Sequence, residues 1–336
     1  MAARLWSQRL AGEPAGDAVE ATRSLLAIQA QDFRAARLAV RARTRGGHAS
    51  DVDRALTVER SLIITWANRG TLHLLAADDE PLMHALTTPQ LRTTSDRRLA
   101  QEGVTPAAAE RGIGAIVKVL GADGPMTRAQ IRAALERAGV PTAGQAVAHV
   151  LLRATLDGLL VRGPRIGDDH AFVLAADWLG ARPTLDRGRA LAELARRYLV
   201  GHGPADERDL ARWAMLTLRD ARAGLEAIAS ELNQGPGGLV QLRGQRAGAL
   251  PPPRLLGPFD PLLLGWRSRS FVVDRPPEVV TTNGIIRAIA LVQGRAAGTW
   301  TMRGGRVELN LWAEPDESTD AALRRDAVAI ETYLAA

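Results

Sequence analysis

The chain has 336 residues, 46% apolar and 24% charged, a soluble globular composition with enough length for two or three compact units. It contains no cysteine, which excludes disulfides, thiolate nucleophiles, iron–sulfur clusters and cysteine-ligated zinc, and its six histidines show no metal-ligand spacing, so neither metal nor cofactor is expected. The net charge of +6 favours an anionic partner such as nucleic acid; Lys118 is the one lysine among 43 basic residues, an arginine bias that GC-rich coding explains as readily as phosphate binding does.

No apolar run is long enough to span a membrane, and Met1 to Pro14 lacks a signal-peptide core, so a cytoplasmic, nucleoid-associated protein is expected. The glycine-rich nucleotide fingerprints and the Gly-x-Ser-x-Gly elbow are missing, which removes the commonest nucleotide-binding and hydrolase readings.

In chain order, two helical stretches precede Ser61 to Trp66, the turn Asn68-Arg69-Gly70, and Thr71 to Leu75, which read as a first hairpin. Ile113, Ile116, Val117 and Leu120 then recur at helical spacing until Gly124-Pro125 stops them. Thr127 with Gln130 forms a capping box that predicts a helix over 128–137 ending near Gly139, and Val147, Val150, Leu151 and Ala154 stripe a third helix. Leu159 to Arg162 and Ala171 to Leu174, joined by a turn over 163–169, predict a hairpin. Three helices and a hairpin are the order of a winged helix.

The Gly203-Pro204-Ala205-Asp206 signal repeats Gly124-Pro125-Met126-Thr127. It too lies between a striped helix (Leu191, Leu194, Ala195, Tyr198) and a helical run through Leu210 and Trp213. A further helix carries Leu225, Ile228 and Leu232, and Leu239 to Leu242 read as a wing strand. Pro251-Pro252-Pro253 marks a boundary. Beyond it strands are predicted at Phe271-Val272-Val273, Ile289 to Val292 and Val307 to Trp312, with a closing helix over 319–334. The expected fold is α+β: three tandem winged-helix modules (1–104, 105–185, 186–250) and a strand-rich region (251–336) that completes or buttresses the third.

Four strings appear in order: Leu26-Ala27-Ile28-Gln29-Ala30-Gln31-Asp32; Trp66 to Leu74; Leu256-Gly257-Pro258-Phe259-Asp260 leading to Leu263-Leu264-Gly265-Trp266-Arg267; and Gly284 to Arg287 with Gly294-Arg295 and Gly298-Thr299-Trp300. Together they resemble the bacterial tandem winged-helix DNA glycosylases, known for self-resistance to DNA-alkylating antibiotics and for interstrand-crosslink repair. The resemblance spans nearly the whole chain. It implies that Gln29 and Gln31, a Gln-apolar-Gln motif, carry the active site of a hydrolase acting on double-stranded DNA that contains alkylated purines. The departures are Ala30, a minimal apolar residue, and Val40 and Asn68, where a tryptophan and a methionine are expected.

Glutamine does not titrate, so the substrate must supply the driving force: a purine alkylated at N7 or N3 is already cationic and departs as a neutral base. The protein need only hold a water and stabilise an oxocarbenium-like transition state, which amide groups can do. Residues i and i+2 share a face only in extended backbone, so the helix before the motif must end near Ile28, with Asp32 capping the next helix. Asp32 is alternatively the base itself. Backbone nicking needs an amine for a Schiff base, and the chain offers only Lys118 and its N-terminus, so a monofunctional enzyme acting as a monomer is expected. For DNA contact the candidates are Arg69 and His73 on the first hairpin, and Trp266, Arg267 and Arg269 after the Phe259-Asp260 string; His73 and Trp266 are equally readable as core. The rival function is a non-catalytic winged-helix regulator reading bases through Gln145, His149 and Arg153; a third is a protein-binding scaffold.

Overall fold

The structure, a computed structural model, describes residues 1–335. The chain forms two compact units, one made of residues 1–52 with 188–336 and the other of residues 53–187. The stretch read as a first module is therefore divided at residue 52, its early helices in one unit and its hairpin in the other.

The second unit contains a winged helix. Helices Pro106–Asp123, Arg128–Arg137 and Ala146–Leu156 precede strands Leu160–Ile166 and Asp169–Leu174, and Met126, ahead of the middle helix, bridges Phe172. The capping box is formed: Thr127 Oγ1 accepts from the Gln130 backbone, and the Gln130 side chain accepts from the Thr127 backbone. The segment over 163–169 is not all turn as the sequence suggested. Gly163-Pro164 falls in a register shift between Arg162 and Arg165, and the strand resumes to Ile166. A bulge absorbs the proline, whose missing N–H would break a regular ladder. The wing adds to the earlier hairpin, Leu62–Ala67 and Thr71–Ala76, through Ile64 opposite Arg162.

The same architecture recurs in the first unit. Helices Arg187–His202, Glu207–Ala214 and Leu218–Ala227 precede strands Leu232–Gln234 and Val240–Leu242, with Ala205 bridging Val240 and Asp206 with Asp209 forming the second capping box. Leu232 lies in the strand rather than in the helix expected there. Beyond the proline run, strands Arg254–Leu256, Ile289–Val292, Arg295–Arg303 and Arg306–Leu311 form an antiparallel sheet. Trp300, Met302, Val307 and Leu309 of this sheet pack with Leu323, Ala327 and Ile330 of helix Glu317–Ala335 and with Leu38. Phe271 to Val273 form a turn instead of a strand: the Val272 and Val273 amides both donate to the Arg269 carbonyl, and the two valines are buried there. Among the described residues no helix is long and apolar enough to cross a membrane.

Candidate active site

The Gln-apolar-Gln segment is set by what ends one helix and starts the next. Helix Ala18–Leu25, capped by Asp17, stops because Leu26 turns to φ 64. Ile28 and Gln29 are extended, and Asp32, itself extended, accepts the Ala35 N–H at 3.1 Å to cap helix Phe33–Arg41. Burial alternates through the segment: Ile28 and Ala30 are buried, Gln29 is half-buried and Gln31 is exposed. The strand ends at Gln29, and Gln31 lies in the bend that leads to the Asp32 cap, so the two glutamines flank buried Ala30 at the junction between the helices.

Three neighbouring contacts hold this segment. Gly201 of helix Arg187–His202 approaches so closely that an added Cβ would lie 2.6 Å from the Ser24 carbonyl oxygen. Gly257 approaches the capped helix, where a Cβ would lie 2.9 Å from that of Leu38. Past the end of that helix, fully buried Arg43 donates to both oxygens of fully buried Asp260 at 2.9 and 2.8 Å, to Gln8 Oε1 at 2.9 Å and to the Ala39 carbonyl at 2.9 Å. Removing one member of such a pair strands a buried charge, at a cost of about 3–5 kcal/mol. The Gly257-Pro258-Phe259-Asp260 string is thus a brace for the motif helix. No local pattern shows this, because Arg43 and Asp260 are 217 residues apart.

Beside the motif, Asp32 and Arg34 form one side of a groove of about 750 Å³ that also involves Pro258, Ile285, Arg287 and the strands around Thr301 and Asn310. The register pairs Thr299 with Asn310 and Thr301 with Glu308, so these four side chains share one sheet face. The residues between them, Trp300, Met302 and Leu309, pack with the C-terminal helix. Among the described residues lining the groove, Trp300 is the one aromatic.

The proposed DNA contacts are placed unequally. Arg69 occupies the three-residue hairpin loop and is half-buried. Asn68, in that loop, has φ 49, a left-handed conformation that asparagine tolerates and methionine does not readily adopt. His73 is buried, and burial first, then the nearby Arg69, lowers its pKa to about 4; neutral, it donates from Nδ1 to the Thr71 carbonyl at 2.9 Å. Trp266 is core: its indole N–H donates to the His202 carbonyl at 3.0 Å, its ring meets His202 and Phe271 edge-on, and Arg4 lies over it. Neither His73 nor Trp266 presents a surface to a phosphate. Arg267 is exposed and paired with Asp206 at 3.5 Å and Asp209 at 3.7 Å, while Arg269 is half-buried, its Nε donating to the Leu263 carbonyl at 2.5 Å.

The regulator reading fares worse. No residue of helix Ala146–Leu156 is exposed, and Arg153 is held by Asp157, Asp96 and Glu110. Helix Arg92–Gln101, which has no apolar stripe to announce it in the sequence, packs on it. Gln145, at the N-cap, is exposed, while His149 and Arg153 on the helix itself are half-buried, so the three candidates do not form one open base-reading surface.

The family model for DNA glycosylase AlkZ-like proteins matches residues 22–334. The chain belongs to the AlkZ-like DNA glycosylase family. This AlkZ-like chain is 28% identical over 306 residues to the interstrand DNA cross-link repair glycosylase of Streptomyces sahachiroi, covering 82% of this chain and 80% of that protein. Its fold matches the solved structure of the Streptomyces sahachiroi DNA glycosylase AlkZ with a TM-score of 0.80 at 24% identity, covering 99% of this AlkZ-like chain and 95% of the other.

Proposed function

We propose that the chain hydrolyses the N-glycosidic bond of N7- or N3-alkylated purines in double-stranded DNA, bulky and crosslinked adducts included, and leaves an abasic site. The observation that carries this reading is the non-helical junction that holds half-buried Gln29 and exposed Gln31 on either side of buried Ala30, just before the capped start of a helix. The name of the Streptomyces sahachiroi relative, an interstrand cross-link repair glycosylase, supports the substrate class.

In this mechanism a glutamine carbonyl oxygen accepts a hydrogen bond from the attacking water, while an amide N–H donates to a sugar or phosphate oxygen. The cationic base leaves with its bonding electron pair and becomes neutral; water adds to the anomeric carbon and releases a proton to solvent. The amides contribute orientation and electrostatic stabilisation. Asp32 keeps the following helix in place through its cap.

The test is release of free base from duplexes containing N7-alkylguanine or N3-alkyladenine. Gln29→Ala and Gln31→Ala should each slow release by about 100-fold or more, the scale of losing one transition-state hydrogen bond, with unchanged melting temperature. Asp32→Asn, which still caps, should stay within about threefold of wild type; a loss comparable to that of the glutamine variants would make Asp32 the base. Equal release by wild type and both alanine variants would end the reading. Lys118 is exposed on the outer side of helix Pro106–Asp123, so borohydride should trap no covalent DNA adduct through it.

A further inference from the structure

A second cavity, of about 540 Å³, lies at the end of the motif helix remote from Asp32, and the mechanism above does not use it. We propose that it binds a terminal phosphate monoester joined to a planar ring, the chemistry of a nucleoside monophosphate, at a site separate from the glutamines. The site does not depend on the glycosylase reading.

Its lining comes from the last residues of helix Phe33–Arg41 and the loop after it, from strand Arg254–Leu256, and from helix Glu317–Ala335. The motif helix has nine residues, so the cavity is about 13 Å along its axis from the Asp32 cap.

Charge points to an anion. Arg41, Arg254 and Arg325 line the cavity with one carboxylate, Asp326, which leaves a surplus of two cations. That carboxylate is already engaged: one oxygen accepts from Arg41 at 2.5 Å and the other from the Leu255 amide at 2.7 Å. Arg325 is exposed and has no hydrogen-bond or ion-pair partner among the described residues. Arg254 donates from Nη1 to the Ala42 carbonyl at 2.9 Å, which occupies an acceptor at the end of the motif helix, and its Nε is buried with no acceptor. Burial pulls the Arg254 pKa below the ordinary arginine value, with Asp326 opposing the fall and Arg43 and Arg41 adding to it. A desolvated guanidinium among like charges is relieved by an arriving anion. A phosphate monoester brings about two negative charges at neutral pH, which matches the surplus, and its oxygens accept well from guanidinium groups.

Size and lining point to the ring. The volume falls in the range of small-ligand sites and exceeds what a bare phosphate fills. Beside the arginines the cavity is bordered by Leu255, Ala329, Tyr333 and Val328, the last 59% exposed, so apolar surface lies open next to the cations. A phosphate held by the arginines places an attached base against that surface.

The experiment is calorimetric titration of the full chain with adenosine 5′-monophosphate, adenosine and inorganic phosphate. The monophosphate should bind one-to-one and at least about tenfold more tightly than either fragment. Arg325→Ala should weaken it about tenfold, and Ala329→Trp, which fills the cavity from an exposed helix position, should abolish it, both variants melting as wild type does. A second arm compares a short single strand carrying a 5′-phosphate with the same strand ending in a 5′-hydroxyl. A preference for the phosphate that disappears in Arg325→Ala assigns strand ends to the site as well, and no preference confines the site to free nucleotides. Monophosphate affinity retained in either variant, fragments that bind as tightly as the monophosphate, or no binding at millimolar concentration overturns the proposal. Base release plays no part in these readouts, so failure of the site and failure of the glycosylase reading are told apart.

Discussion

The two winged-helix modules share a topology down to the capping box and the bridge that ties the residue before it to the wing, Met126 to Phe172 in one and Ala205 to Val240 in the other. They differ at the third helix. Ala146–Leu156 contributes Ala146, Val147, Val150, Leu151 and Ala154 to a continuous core and has no exposed residue. Leu218–Ala227 buries only Ala221 and Gly224 and exposes Arg219 and Arg222. One arrangement of elements thus serves as a packed support in one case and as a surface element in the other. The difference lies in the residue types, large aliphatics against a small-residue stripe, and in the extra helix Arg92–Gln101 that packs on the former.

The sharpest break of that comparison is a pair of leucine truncations. Leu151→Ala should destabilise by about 3 kcal/mol, the usual cost of a buried leucine cavity, whereas Leu225→Ala on the half-buried face should cost about 1 kcal/mol. Denaturant melts of both variants check this, and equal losses would mean the two helices are packed alike. A pair of glycines gives the next largest effect. At Gly224 a Cβ would sit 2.6 Å from the Leu191 carbonyl oxygen, which is backbone and cannot yield cheaply, so Gly224→Ala should cost about 2 kcal/mol despite better helix propensity. At Gly112 the nearest atoms are the methyls of Leu135 at 3.0 Å and Val140 at 3.3 Å, which can rotate away, so Gly112→Ala should change stability by less than about 1 kcal/mol. Calorimetry of the two separates them.

The smallest effect concerns DNA. Arg219, exposed on the open helix of the third module, is placed to meet phosphate, so Arg219→Ala should reduce the slope of log affinity against log salt by about 0.9, whereas Arg222 is paired with Glu207 at 3.5 Å and should contribute less. Arg153→Ala, in the covered helix and already ion-paired, should leave the slope unchanged. Duplex binding across a salt series reads this, and a slope insensitive to Arg219 would show that the open helix is not the one that faces DNA.

What was legible in the sequence was local. Thr127 with Gln130 and the aliphatic stripe of 147–154 announce their helices because capping and core packing act within a few residues. The junction at the glutamines was also legible, since Asp32 is a strong cap and paired polar side chains share a face only when extended. Helix Arg92–Gln101 escaped because it buries only Ser95 and Leu99 and so carries no stripe. Strand Arg295–Arg303 showed only as a short string because its ladder shifts register between Ala296 and Gly298, which breaks the alternation. Trp266 read equally as core or as a DNA-bordering surface, and only the tertiary fold supplies the His202 carbonyl that its indole meets in the core. The groove is the clearest case: Arg34, Ile285 and Asn310 are meaningless as a set until the chain brings them together.

The discontinuity of the first unit has a consequence for birth order. Residues 1–52 emerge from the ribosome long before the rest of their unit, and Arg43 must wait for an aspartate 217 positions later. At about 5–20 residues per second that interval is roughly 10–40 s. The glutamine-bearing strand is therefore synthesised well before its anchor, so a nascent chain that has not reached Asp260 holds the motif without the partner that Arg43 needs.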